Sequence, residues 1–223
     1  MFYESEKNDH GLPYDPFKSC VVPRPIGWIS TVGVDDITNL APYSQFQNLT
    51  FDPPYVMFSA NQTTDFRRKD TVVNAEQSGE FVWNMMSYDL REAMNISAQQ
   101  IPTYVDEFEL AGVTKAPSKL VKPSRVAESP VHFECRYHQT LRLPGNSALC
   151  TVDVVIGKVI GIYIRDEFIA TDGKVDILKI RPTARLGYYG YTIVESVFEM
   201  LIPGPNEKLR SGMEGVVRKI QDA

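Results

Sequence analysis

Residues 24–61 read RPIGWISTVGVDDITNLAPYSQFQNLTFDPPYVMFSAN, and the fold class is decided there. Two β-type runs, Ile26–Val34 and Tyr55–Ala60, flank a segment rich in small and hydroxyl residues: Thr38, Asn39, Ala41 and Ser44. β-branched and aromatic side chains mark the runs as strands, and Pro53-Pro54 stops the intervening segment before the second run begins. Along the first run Ile26, Trp28 and Ser30 share one face, and Gly27, Ile29 and Thr31 share the other. Gly33 with Asp35-Asp36 forms a turn, and Ile37–Tyr43 returns as the second arm of a hairpin. Small residues with free backbone amides suit a surface against which a flat, polar-edged ligand can lie.

Downstream, residues 61–81 read NQTTDFRRKDTVVNAEQSGEF. Asp65 or Thr64 caps a helix there, with Phe66, Val72, Val73 and Ala75 as its apolar stripe and Gly79 as its stop. Arg67, Arg68 and Lys69 fall in its first turns, where cations oppose the helix dipole. A bound anion would remove that conflict. Composition leaves two readings open, a solvated basic face or a phosphate site. Glu80–Met86 reads as a strand. Ser87 then caps a helix carrying Leu90, Ala93, Met94, Ser97 and Ala98, which ends before Pro102. From Pro102 to Pro130 the chain is weakly periodic, a long excursion or lid.

Val131–Leu143 alternates, with Val131, Phe133, Cys135 and Tyr137 on one face and His132, Glu134, Arg136 and His138 on the other. The second face reads as solvated or intersubunit rather than metal-binding, and Cys135 as a small buried hydrophobe. Leu149–Ile164 is the longest β-rich run, with Gly157 and Gly161 as bend points of a curling sheet. Leu209, Met213, Val216, Val217 and Ile220 give residues 206–223 the pattern of an amphipathic helix.

The 223 residues, 43% hydrophobic and 23% charged, suit a single domain with a real core. A formal charge of −5 without a basic stripe argues against nucleic acid. No apolar run reaches bilayer-spanning length, and MFYESEKNDHGLPYD at the N-terminus has no signal-peptide pattern. Cys20, Cys135 and Cys150 are too scattered for a disulfide framework or a zinc site, so a reduced, cytoplasmic protein is expected. No nucleophile elbow, P-loop, dinucleotide fingerprint or zinc-protease motif occurs. The pairs Asp35-Asp36 and Asp106-Glu107 sit in turn-like contexts and read as solvated. If the chain is an enzyme, a cofactor must carry the reaction.

The runs PRPIGWIST, NLAPYSQFQ, DPPYVMFS, KDTVVNAEQSGEFVWN and RLGYYGY, in that order over about residues 20–195, resemble the flavin reductase-like family of FMN-binding split-barrel proteins. The resemblance implies a mainly β fold, a six-stranded antiparallel split barrel with peripheral helices, assembled as a homodimer. It implies FMN as cofactor and NAD(P)H as co-substrate, with a small molecule or redox protein as acceptor. The alternative is an FMN-carrying electron-transfer protein like flavoredoxin. Trp28, Ser30, Thr31, Asn39, Ala41, Pro42, Tyr43 and Ser44 would then lie along the isoalloxazine. Ser59, Arg67, Lys69, Asp70 and Thr71 would surround the ribityl phosphate, with Arg68 facing solvent. A histidine often follows by two the glycine matching Gly161; Tyr163 stands there instead.

Overall fold

The computed structural model describes residues 1–200, so the helix expected over 206–223 lies outside the described residues. The first half of the chain runs β1 (Arg24–Pro25), β2 (Gly27–Val32), β3 (Thr38–Tyr43), β4 (Phe46–Phe51), β5 (Pro54–Asn61), α1 (Asp70–Ser78) and β6 (Glu80–Met85). It continues through α2 (Arg91–Ile96), α3 (Glu107–Ala111), β7 (Lys115–Ala116), β8 (Arg125–Val126) and β9 (Val131–Leu143). The last described elements are β10 (Val152–Ile164), α4 (Ile177–Ile180), β11 (Thr183–Arg185) and β12 (Tyr191–Ile193).

Seven strands form one antiparallel sheet in the order β3-β2-β6-β9-β10-β5-β4. Its two edge strands, β3 and β4, are consecutive in the chain and joined only through Ser44 and Gln45. Two residues cannot span an open seven-stranded sheet, whose strands are spaced about 4.8 Å apart. The sheet therefore rolls up, and the split lies between β3 and β4. The Tyr43 and Phe58 rings meet across it at 5.0 Å. β1, β11 and β12 make a separate three-stranded sheet.

One core fills the barrel, where Phe46 stacks on Trp83 at 5.3 Å, Trp83 meets Phe133 at 4.4 Å, and Phe58 meets Phe81 at 5.6 Å. A second core lies outside it, where Trp28 and Leu40 pack with Met94 of α2, Phe108 of α3 and Val126. β2 is consequently buried along its whole length, Ile29 into the first core and Trp28 into the second. The long β9–β10 pair shifts register at Ile156/Gly157 and Val159/Gly161, the bend points expected from the glycines. A Cβ on Gly157 would overlap the ring of the fully buried Phe81. Gly157→Ala should cost about 1–3 kcal/mol through overpacking, read as a melting temperature lowered by several degrees. A variant that melts with the wild type would show that the bend tolerates a side chain.

Four expectations need correction. Phe46–Phe51 is a strand; its polar, exposed edge position hid the alternation. The basic-run helix begins at Asp70, with no side-chain cap, so Phe66 is exposed and Arg67 and Arg68 precede it. Ser87 makes no cap bond and leads into a short 3-10 turn, Tyr88–Leu90, ahead of α2. The outward face of β9 is solvated only in part. Arg136 and His138 are exposed, but the 115–126 segment covers His132 and Glu134. His132 Nε2 meets the Val126 carbonyl at 2.7 Å, and Glu134 accepts from the Lys119 and Leu120 amides at 2.9 and 2.6 Å.

Candidate functional site

A cleft of about 580 Å³ opens between β3, the loop before α1 and the chain following α2. β3 contributes Asn39, Ala41, Pro42 and Tyr43, the loop and helix start contribute Arg67, Lys69, Asp70 and Thr71, and Glu107 closes one wall. These residues come from sequence-distant elements, held together by a buried polar chain. Glu107 accepts from Asn39 Nδ2 at 2.9 Å and from the Leu40 amide at 3.1 Å. Asn39 Oδ1 in turn accepts from the Thr71 hydroxyl at 2.6 Å. The excursion is thus tied to β3, and β3 to the first turn of α1.

Charge in the cleft is unevenly satisfied. Arg67 pairs with Asp65 at 2.6 Å in the open. Arg68, expected at the surface, is turned inward between Glu76 at 2.6 Å and the buried Asp153 at 3.0 Å. Lys69 is half-buried and pairs with no carboxylate among the described residues; burial lowers its pKa. Asp70 beside it is pushed the other way, its pKa raised by burial. Burial also raises the pKa of Glu107, against the N–H bonds that favour its charged form. Tyr43 Oη is buried with no hydrogen-bond partner among the described residues, and burial drives its pKa up as well. An uncapped helix start, a desolvated ammonium and an unpartnered hydroxyl therefore share one cleft, which suits an anion at one end and a polar-edged ring along the wall.

Of the residues anticipated from sequence, Asn39, Ala41, Pro42, Tyr43, Arg67, Lys69, Asp70 and Thr71 line this cleft. Trp28, Ser30 and Thr31 do not, and each is fully buried. Trp28 Nε1 donates to Ser97 Oγ at 2.9 Å, and the Ser30 hydroxyl donates to the Ser124 carbonyl at 2.6 Å. Asn74 Nδ2 donates to Thr31 Oγ1 at 3.3 Å. Trp28 and Ser30 are buried because the excursion covers the outer face of β2, and Thr31, on the other face, lies under α1. Ser44 lies in an adjoining cleft, and Ser59 sits mid-strand in β5 opposite Val154, outside the cleft lining. Tyr163 is also outside the lining, its ring 5.5 Å from His132 and 4.2 Å from the Arg125 guanidinium.

The sequence reading passed over Thr63, Thr64, the 97–102 stretch and Glu107. The adjacent acids Asp106-Glu107 were the available signal, but neither is solvated. Asp106 caps α3 by accepting from the Phe108 amide at 2.9 Å and also accepts from the Thr38 hydroxyl. Cys135 is buried with its thiol pKa pushed up, and no group of three His, Cys, Asp or Glu among the described residues could hold a metal.

The family model described as "Flavin reductase like domain" matches residues 19–179. An uncharacterized protein of Aquifex aeolicus is 37% identical over 191 residues, covering 85% of this chain and 94% of its own. Nitrilotriacetate monooxygenase component B from Bacillus cereus superposes with a TM-score of 0.82 at 26% identity, over 90% of this chain and 98% of that one. Flavoredoxin of Desulfovibrio vulgaris shares the fold, with a TM-score of 0.67 at 19% identity over 82% of this chain and 91% of that one. The unpartnered Tyr43 hydroxyl and the uncapped start of α1 fit a flavin carrying a phosphate. With its rolled antiparallel sheet, its cleft and the matched span 19–179, the chain belongs to the flavin reductase-like family of split-barrel flavoproteins.

Proposed function

We propose that this protein is an FMN-dependent oxidoreductase of the flavin reductase type, taking hydride from NAD(P)H and passing reducing equivalents to a separate acceptor. The observation that carries the reading is Lys69, half-buried at the uncapped start of α1 with no carboxylate paired to it among the described residues. Desolvation without a counter-charge is costly for an ammonium. A phosphate there offsets that cost and also meets the positive end of the helix dipole.

Bound FMN supplies the hydride and electron chemistry, which no side chain in the cleft could supply alone. The chain binds and orients. Lys69 and the first-turn amides of α1 hold the phosphate. The Thr71 hydroxyl is already donated to Asn39, so Thr71 acts through its amide and by keeping α1 against β3. Ala41 and Pro42 give a flat apolar wall that limits water at the ring. Tyr43 Oη is free to donate to a ring or ribityl oxygen. Assembly as a homodimer belongs to the same proposal.

Lys69→Ala should weaken FMN binding by about 1.5–3 kcal/mol, the scale of a hydrogen bond to a charged group, or roughly ten- to 150-fold in Kd. Flavin fluorescence titration of wild type and variant reads it. An unchanged Kd returns Lys69 to a solvated basic face. NADH and NADPH oxidation, with and without added FMN, tests the hydride donor. Tight FMN binding with neither nucleotide oxidised would assign the protein to electron carriage instead.

A further inference from the structure

Two more clefts continue the flavin cleft. The first, of about 520 Å³, shares Pro42 and Ala98 with it; the second, of about 430 Å³, shares Met94, Arg185 and Tyr191 with the first. The far end is built by β11, β12 and the turn between them, residues 185–191, RLGYYGY. None of these seven residues lines the flavin cleft. The turn is specifically constructed. Gly187 packs so closely on Ser19 that a Cβ would overlap it, and the Gly190 amide closes onto the Gly187 carbonyl at 3.0 Å. Tyr188 is held at φ 55°, the left-handed region that non-glycine residues avoid. The result presents Tyr188 and Tyr189 to solvent, 52% and 94% exposed.

The chemistry along this groove is consistent. Arg185 lies with its guanidinium 4.4 Å over the Tyr191 ring and donates to the Tyr188 carbonyl at 2.5 Å. It is thereby oriented, and it pairs with no carboxylate among the described residues. Arg91 sits 4.1 Å over the Tyr88 ring on the opposite wall. On a chain of formal charge −5, the two clefts are lined by Lys18, Arg24, Arg91 and Arg185 against only Asp15 and Glu92. Thr183, 6% exposed at the groove wall, has a hydroxyl without a partner among the described residues. A buried hydroxyl is normally satisfied. Oriented guanidinium, aromatic faces and an unpartnered buried hydroxyl together suit a planar group bearing negative charge.

We propose that this groove is a second binding subsite, taking a planar anionic group against the tyrosine rings with Arg185 and Thr183 as its polar contacts. The inference rests on the flavin reading for its role: the groove receives the remote arm of a molecule whose reactive end reaches the flavin. Two sources share that chemistry, the adenine nucleotide arm of the hydride donor and an aromatic carboxylate acceptor.

Calorimetry on the FMN-loaded protein tests it, with 5′-AMP, 2′,5′-ADP and benzoate as separate probes. At least one probe should bind, and Arg185→Ala should weaken that binding tenfold or more while leaving the Kd for FMN unchanged. Thr183→Val should weaken it several-fold, and serves as the test should Arg185→Ala fail to fold. Saturation by the nucleotides assigns the donor arm; saturation by benzoate assigns the acceptor. No binding of any probe to the wild type at about 10 mM, a level that would detect even millimolar affinity, overturns the subsite. Probe binding unaffected by either substitution also overturns it. Failure of the flavin reading is separately visible in a direct titration of the protein with FMN: FMN would not bind, and the same probes titrated into the FMN-free protein would still report on the groove.

Discussion

Replacing Glu107 with alanine should destabilise the protein by about 3–4 kcal/mol, because it leaves two buried donors without an acceptor at about 1–3 kcal/mol each. Those donors are Asn39 Nδ2 and the Leu40 amide. For a chain of this size that corresponds to roughly a 10 °C fall in melting temperature. An ionised carboxylate only accepts, so Glu107 also decides which end of the Asn39 amide faces Thr71. Glu107→Gln keeps one acceptor but turns an NH₂ toward the other donor. It should cost less stability than alanine and lower FMN affinity about five- to tenfold, on the order of one neutral hydrogen bond. Riboflavin, which lacks the phosphate, should lose less. Equal losses for FMN and riboflavin would make Glu107 a packing residue, and an unchanged melting temperature in the alanine variant would remove the network from the account.

That carboxylate also marks how far the sequence could be read. The hairpin of β2 and β3, the strand at β5 and the bend points at Gly157 and Gly161 follow from local patterns, since turn residues and side-chain alternation act over a few positions. The basic start of α1 at one end of the cleft was legible for the same reason: a run of cations against a helix dipole is a local conflict. What local pattern cannot express is coverage. Trp28 and Ser30 alternate as a ligand-facing strand would, yet the 102–130 excursion packs over that face and buries them. Glu107 looked solvated because its partners, Asn39 and Leu40, are 68 and 67 positions away. Arg68 looked solvated because Asp153 lies 85 positions on. Each error is a contact between residues far apart in the chain, which no local pattern encodes.

Acid should destabilise this protein through His132 by about 3 kcal/mol between pH 6.5 and pH 4. The ring is 1% exposed, and burial brings its pKa down from 6.5 to about 4. Since Nε2 faces the Val126 carbonyl at 2.7 Å, Nε2 carries the hydrogen and Nδ1 is left without a partner among the described residues. Protonation would place a second donor at Nδ1, again without an acceptor, near the cationic side chains of Arg125 and Arg165. Glu134 opposes this only in part, as the Lys119 and Leu120 amides already occupy its carboxylate. Between the two pKa values the unfolded chain binds a proton that the folded chain refuses. Stability is therefore fully present above pH 6.5, falls as pH drops toward 4, and loses nothing more to this group below that. His132→Gln keeps a donor for the Val126 carbonyl and does not titrate. Urea unfolding at pH 7.0 and pH 4.5 should show the wild type losing on the order of 2–3 kcal/mol more than the variant. Parallel losses in the two proteins would mean that the 115–126 segment yields and lets the imidazolium reach water.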